Sequence, residues 1–154
     1  MLKRWFAIGC VVFGLAACNE TSVNGSTVPY APVGYTINIT TEYPNFRKEN
    51  GFSVLPLITA KRFDYEYIGY AGLLVWVGMD NEYHAADLCC PHCLLPNKPI
   101  EVNGMWAVCP TCGEEYDISY GYCSPRHGIS KYPLKRYTVL EQQSMAELKL
   151  YIRN

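Results

Sequence analysis

The sequence predicts an all-β domain. Short apolar and aromatic runs recur at steady spacing between Asn, Asp, Gly and Pro residues, the pattern of short antiparallel strands joined by tight turns. Thirteen tyrosines favour strands, and few stretches carry the 3.6-residue periodicity of a helix. Asn103-Gly104, set between two apolar segments, is the strongest hairpin signal in the chain.

The elements follow in order. Asn19 to Gly34 is rich in Ser, Thr, Asn, Gly and Pro and reads as a spacer. Structure is expected from about Tyr35, where Thr36-Ile37-Asn38-Ile39-Thr40 alternates like a half-buried strand. Asn45 to Pro56 is ambiguous, and Leu55 to Tyr70 reads as strand or irregular chain. Leu73-Leu74-Val75-Trp76-Val77 is a clear apolar strand; Asp80-Asn81 turns it back, and Glu82 to Ala86 is its hairpin partner. Ile100 to Val102 and Met105 to Val108 flank the Asn-Gly turn. Two more strands are expected at Arg136 to Glu141 and Glu147 to Ile152.

The first residues supply an address. Lys3 and Arg4 precede an uncharged apolar stretch, Trp5 to Ala17, which is too short to cross a bilayer but suits a secretory signal core. It ends in Leu15-Ala16-Ala17-Cys18, which resembles the lipobox of bacterial lipoproteins. The resemblance implies removal of residues 1–17, lipidation of Cys18 and several acyl chains on one residue, enough for stable anchoring. Residues 18–34 would then be the lipidated cysteine and its tether, and the domain, residues 35–154, would sit in a bacterial cell envelope, facing the periplasm. Loss of residues 1–17 takes away two of the 13 basic residues and none of the 14 acidic ones. That slightly negative balance, without a basic run, argues against nucleic acid as a partner.

Chemistry concentrates in two loops, Cys89-Cys90-Pro91-His92-Cys93 and Cys109-Pro110-Thr111-Cys112-Gly113. Two ligand selections fit the spacing. Cys90, Cys93, Cys109 and Cys112 form C-x2-C, a gap of fifteen residues and a second C-x2-C, the zinc-ribbon arrangement. Cys90, His92, Cys109 and position 112 form instead a C-x-H…C-x2-x pattern. It resembles the Rieske [2Fe–2S] family, in which one iron has two Cys ligands and the other two His.

The flanks extend that resemblance over roughly residues 69–151. Gly72 to Val77, the Asp80-Asn81 turn, Tyr83-His84-Ala85 and Cys90-Pro91-His92 run in the family's order. So do Gly113, Tyr116-Asp117, Gly121 and Pro133-Leu134-Lys135-Arg136-Tyr137. The resemblance implies a Rieske-like antiparallel β-sandwich with a small two-loop metal-binding subdomain, its loops within residues 88–128. It further implies a [2Fe–2S] cluster and one-electron exchange with an unidentified periplasmic or membrane redox protein. One departure matters: Cys112 stands where the family has a second-loop His. Either Cys112 replaces that ligand, or the site holds zinc, or the metal is lost. A third thiolate would make a cluster more negative and shift its potential below the two-His range of about −150 to +300 mV.

The thiols outside the Rieske-like set, Cys89, Cys93 and Cys123, are disulfide candidates in an oxidising compartment, with Cys93–Cys123 or Cys89–Cys123 possible. Cys123 and His127 also form a C-x3-H, although Ser124 to Gly128 reads better as a Pro-containing third loop covering the centre. Trp76 and Trp106 lie at strand positions and read as packed residues, and His84, also in a strand, reads as a surface or packed histidine and not a ligand. No Ser-His-Asp set, phosphate loop or paired carboxylate points to hydrolysis or phosphoryl transfer. The expected role is that of a redox subunit; a zinc-bound or metal-free binding module is the alternative.

Overall fold

The computed structural model describes residues 26–154, and the chain there is almost entirely β. The expected signal and Cys18 lie outside the described residues. None of the described helices is long and apolar enough to cross a membrane. The strands are β1 (Val33–Asn38), β2 (Ser53–Val54), β3 (Tyr67–Ile68), β4 (Leu73–Val77), β5 (Tyr83–Asp87) and β6 (Glu101–Asn103). Then come β7 (Trp106–Val108), β8 (Glu115–Asp117), β9 (Ser124–Pro125), β10 (Arg136–Gln143) and β11 (Leu148–Arg153). A curled antiparallel sheet runs β2-β4-β5-β10-β11-β1-β3, and a smaller sheet runs β6-β7-β8-β9.

β4 explains why the two sheets share one body. All five of its residues are buried. Leu73, Val75 and Val77 face a core with Ile37, Phe46, Leu150 and Ile152. Leu74 and Trp76 point the other way, into a second core with Ala86, Leu88, Ala107, Tyr116 and Ile118. A strand buried on both faces reads as an unbroken apolar run, as Leu73 to Val77 does. The Asn103-Gly104 turn closes the β6–β7 hairpin, where Asn103 pairs with Trp106 and Gly104 takes φ 59°.

Two segments depart from the expected pattern and a third, Leu55 to Tyr70, resolves to one of its two expected forms. The strand expected to continue through Thr40 ends at Asn38, whose side chain accepts from Thr41 N and starts a single helical turn, α1 (Ile39–Glu42). Leu55 to Tyr70 is mostly irregular, held by Arg62, whose guanidinium meets Glu42 and Glu66 at 2.7 and 2.8 Å. The chain is already packed before Tyr35: Ser26 and Val28 are buried, and β1 starts at Val33.

Candidate metal centre

Both loops fold into the same five-residue knuckle. In the first, Leu94 N donates to Cys90 O at 3.0 Å and Leu94 has φ 55°. In the second, Gly113 N donates to Cys109 O at 2.9 Å and Gly113 has φ 75°. Each knuckle thus closes on itself and turns out through a left-handed residue, which costs glycine little and leucine more. The loops are fixed at their roots. Cys89 N donates to the buried Asp87 carboxylate at 2.8 Å, and Cys109 N donates to Glu114 O at 2.9 Å.

This geometry brings Cys90, Cys93, Cys109 and Cys112 together, with all four Sγ atoms within 4.8 Å of one another. Cys90 and Cys112 are 3.8 Å apart, as are Cys93 and Cys109. The cluster has a buried half, Cys90 and Cys109, and a half-exposed one, Cys93 and Cys112. Four thiols so placed are a donor set for one soft or borderline metal ion.

Electrostatics distinguish three of the four. Burial opposes ionisation of Cys109, but N–H groups of Cys112 and Thr111 and the neighbouring thiols outweigh it, so its pKa falls below the ordinary thiol value. Burial and the adjacent thiols push Cys93 up. Cys112 is also raised, by burial first, although the Glu114 N–H opposes this. A bound cation would draw the protons off all four thiols.

Two residues support the cluster in ways the sequence did not reveal. The Tyr116 hydroxyl lies 3.2 Å from Cys90 Sγ, and burial followed by that sulfur raises its pKa. The Glu114 carboxylate is fully buried and accepts from His127 N at 2.7 Å, Ser130 N at 2.8 Å and Glu115 N at 3.2 Å. Burial works against its charge, but the Ser130, His127, Ile129 and Glu115 N–H groups more than compensate and lower its pKa. Glu114 thereby holds residues 126–130 against the second knuckle. An acidic residue directly after Cys-Gly was the available signal, but nothing in the sequence marks it as buried.

The remaining candidate residues lie elsewhere. His92 is exposed on the first knuckle and stands outside the group of four converging ligand atoms. All six described cysteines are free thiols. Cys89 and Cys123 are buried, each with a pKa pushed up to about 12, chiefly by burial. His127 is exposed beside Glu115, at 3.4 Å. His84 packs against Trp76 with its Nε2 3.0 Å from Asp80.

No protein-family model matches the chain, and comparisons with curated proteins and with solved structures find no match either.

Proposed function

We propose that this protein is a metal-binding domain tethered to a cell-envelope membrane through lipidated Cys18, and that Cys90, Cys93, Cys109 and Cys112 hold one zinc ion in a structural role. The observation that carries this reading is the pair of matching knuckles with four converging sulfurs. A zinc–thiolate bond of about 2.3 Å implies tetrahedral S···S edges of about 3.8 Å, and the Cys90–Cys112 and Cys93–Cys109 separations are both 3.8 Å. A two-iron cluster also keeps the two ligands of each iron this close but sets the two pairs well apart, whereas all four sulfurs here lie within 4.8 Å of one another. Zinc would supply charge neutralisation and cross-linking: it ties the loop after β5 to the loop after β7, and so the large sheet to the small one. The N–H groups of Thr111, Cys112 and Glu114 aimed at sulfur would offset the surplus negative charge of four thiolates.

A second reading has its own support. The Tyr116 hydroxyl on Cys90 Sγ and the exposed His92 between Cys90 and Cys93 favour a Rieske-type [2Fe–2S] centre with Cys90, His92, Cys109 and Cys112 as ligands and one-electron transfer as its task. It requires the first knuckle to reopen so that His92 replaces Cys93. Metal analysis and a visible spectrum of protein purified without oxygen decide between the two. One zinc per chain and no colour supports the structural site. About two irons with acid-labile sulfide and a red-brown colour overturns it in favour of electron transfer, and one iron without sulfide keeps the four-cysteine site but replaces its metal.

A further inference from the structure

The chain that leads to the expected lipid anchor is fastened to the first metal knuckle. Ser26 and Val28 are 5% and 3% exposed. Thr27 Oγ1 donates to the carbonyl oxygen of Pro91, inside the knuckle. The next two residues are held by Lys135, whose Nζ donates to Pro29 O at 3.0 Å and lies 5.5 Å from the centre of the Tyr30 ring. A flexible spacer would leave the domain free to face any direction. This one is strapped down up to a point beside the cluster.

Covalent reach bounds how far the strap stands from the membrane, and the surface of the knuckle then has to decide the orientation. Eight residue-to-residue steps lead from Cys18 to Ser26, and fully extended chain spans at most about 3.6 Å per step, so the strap's start stays within roughly 29 Å of the anchor. The opposite end of the domain is well separated from the strap's start. β10 runs eight residues from Arg136, beside Lys135, to Gln143, a length of roughly 26 Å at about 3.3 Å per residue. The β10–β11 turn beyond it carries Met145, which is fully exposed.

The knuckle also presents a surface that suits a bilayer. Leu94 and Leu95 are 37% and 40% exposed, and the turn that Lys98 N closes on Leu95 O places an exposed Lys98 beside them. Leu94 is a branched residue in the left-handed region, at the position where the second knuckle uses glycine. That conformation costs leucine about 1–2 kcal/mol. Its side chain is more than a third exposed, so solvent meets much of the apolar surface retained at this cost. Two exposed leucines beside a lysine match the chemistry of the headgroup and acyl boundary, where apolar groups sink and a cation meets phosphate.

We propose that the first metal knuckle faces the membrane and rests its Leu94–Leu95 tip in the bilayer interface, so that the strap and the lipid anchor hold the metal centre against the lipid surface and the β10–β11 turn points away. The proposal rests on the lipoprotein reading of Cys18.

The test uses full-length protein, processed in bacteria and reconstituted in phosphatidylethanolamine–phosphatidylglycerol vesicles with acyl-brominated lipid. Leu95→Trp and Met145→Trp are compared, each against the background of Trp76 and Trp106. The added emission of Leu95→Trp should shift to the blue and be quenched about two-fold, as expected for a ring in the interfacial layer, while that of Met145→Trp stays unquenched. Adding Val28→Asp to Leu95→Trp should abolish the quenching without removing bound metal. Equal quenching at the two positions, or none at either, overturns the proposal. Flotation separates the two failures: vesicles that carry the protein but do not quench Leu95→Trp refute only the orientation. Protein that fails to float refutes the lipid anchor and the orientation together.

Discussion

Replacing Glu114 with Gln tests whether the third loop is held onto the centre by one buried carboxylate. The change keeps shape and removes charge. In the parent, one oxygen accepts from His127 N at 2.7 Å and Glu115 N at 3.2 Å, the other from Ser130 N at 2.8 Å. A glutamine must turn its NH2 group toward one of these sets, so donors face donors. A hydrogen bond to a charged group contributes about 1.5–3 kcal/mol, and a buried donor left without an acceptor costs a further 1–3 kcal/mol. Losing one side of the staple and weakening the other therefore costs about 3–5 kcal/mol. For a domain of this size that lowers Tm by roughly 10–20 °C, within a total stability of about 5–15 kcal/mol. The assay is thermal unfolding at neutral pH with excess zinc, together with tryptic cleavage after Arg126, which is 52% exposed. Cleavage there should accelerate before global unfolding does, because the loop loses its anchor while the sheets keep theirs. A variant that melts within a few degrees of the parent and resists trypsin equally would refute the assignment of the loop's order to this carboxylate.

Other outcomes follow from the same geometry. Single Ser replacements of Cys90, Cys93, Cys109 or Cys112 should each lower metal content and Tm, whereas His92→Ala should leave both unchanged; loss of metal in the His92 variant would favour the cluster reading. Chelation should unfold or loosen the small sheet, because zinc binding there contributes directly to folding, and exchange protection of β7 and β8 would report it. Glu66 is buried beside Arg62 and has a lowered pKa: burial opposes its charge, but the Arg62 side chain and the N–H groups of Arg62 and Phe63 outweigh burial. Its contribution is present above the ordinary carboxylate range and lost as pH falls through the depressed folded value. The stability gap between parent and Glu66→Gln should therefore close in acid and reopen at neutral pH. Leu94→Gly relieves the left-handed strain of about 1–2 kcal/mol but adds roughly 0.5–1 kcal/mol of unfolded-state entropy. Soluble protein should gain at most about 1.5 kcal/mol, measured by urea unfolding.

The long-range pairs that closed the sheets were the least legible part of the fold. Local signals placed β4, β5 and the β6–β7 hairpin to within about a residue, because each strand's partner is next in sequence and joined by a turn with its own chemistry. β2, β3 and β9 are two residues long and pair with strands fixed by other contacts, so no periodicity announces them. Asn38 halted the first strand by capping a helical turn, a competition between side chain and ladder that alternation alone does not resolve. The strap was hidden for a different reason. Ser26 to Ala31 has the composition of a spacer, and its order comes from partners distant in sequence, Pro91 and Lys135.

The choice between Cys93 and His92 shows where the sequence stops informing. Both residues lie in one knuckle and are one position apart, so spacing admits either. What separates them is backbone direction. In a knuckle that closes from the fifth residue back to the first, the first and fourth side chains point to the same side, while the third projects outward. Cys90 and Cys93 converge for that reason, as do Cys109 and Cys112, and His92 shares its position with Thr111 on the outer face of the turn. The left-handed residue that completes each turn is readable in the second knuckle, where it is Gly113, and unreadable in the first, where it is Leu94. The matching Cys-Pro-x-Cys runs announce two similar loops, but glycine at position 94 would also have announced that both close through a left-handed residue. Leucine there conceals the shared closure, and the same leucine, strained and partly exposed, is what the membrane-facing proposal puts to use.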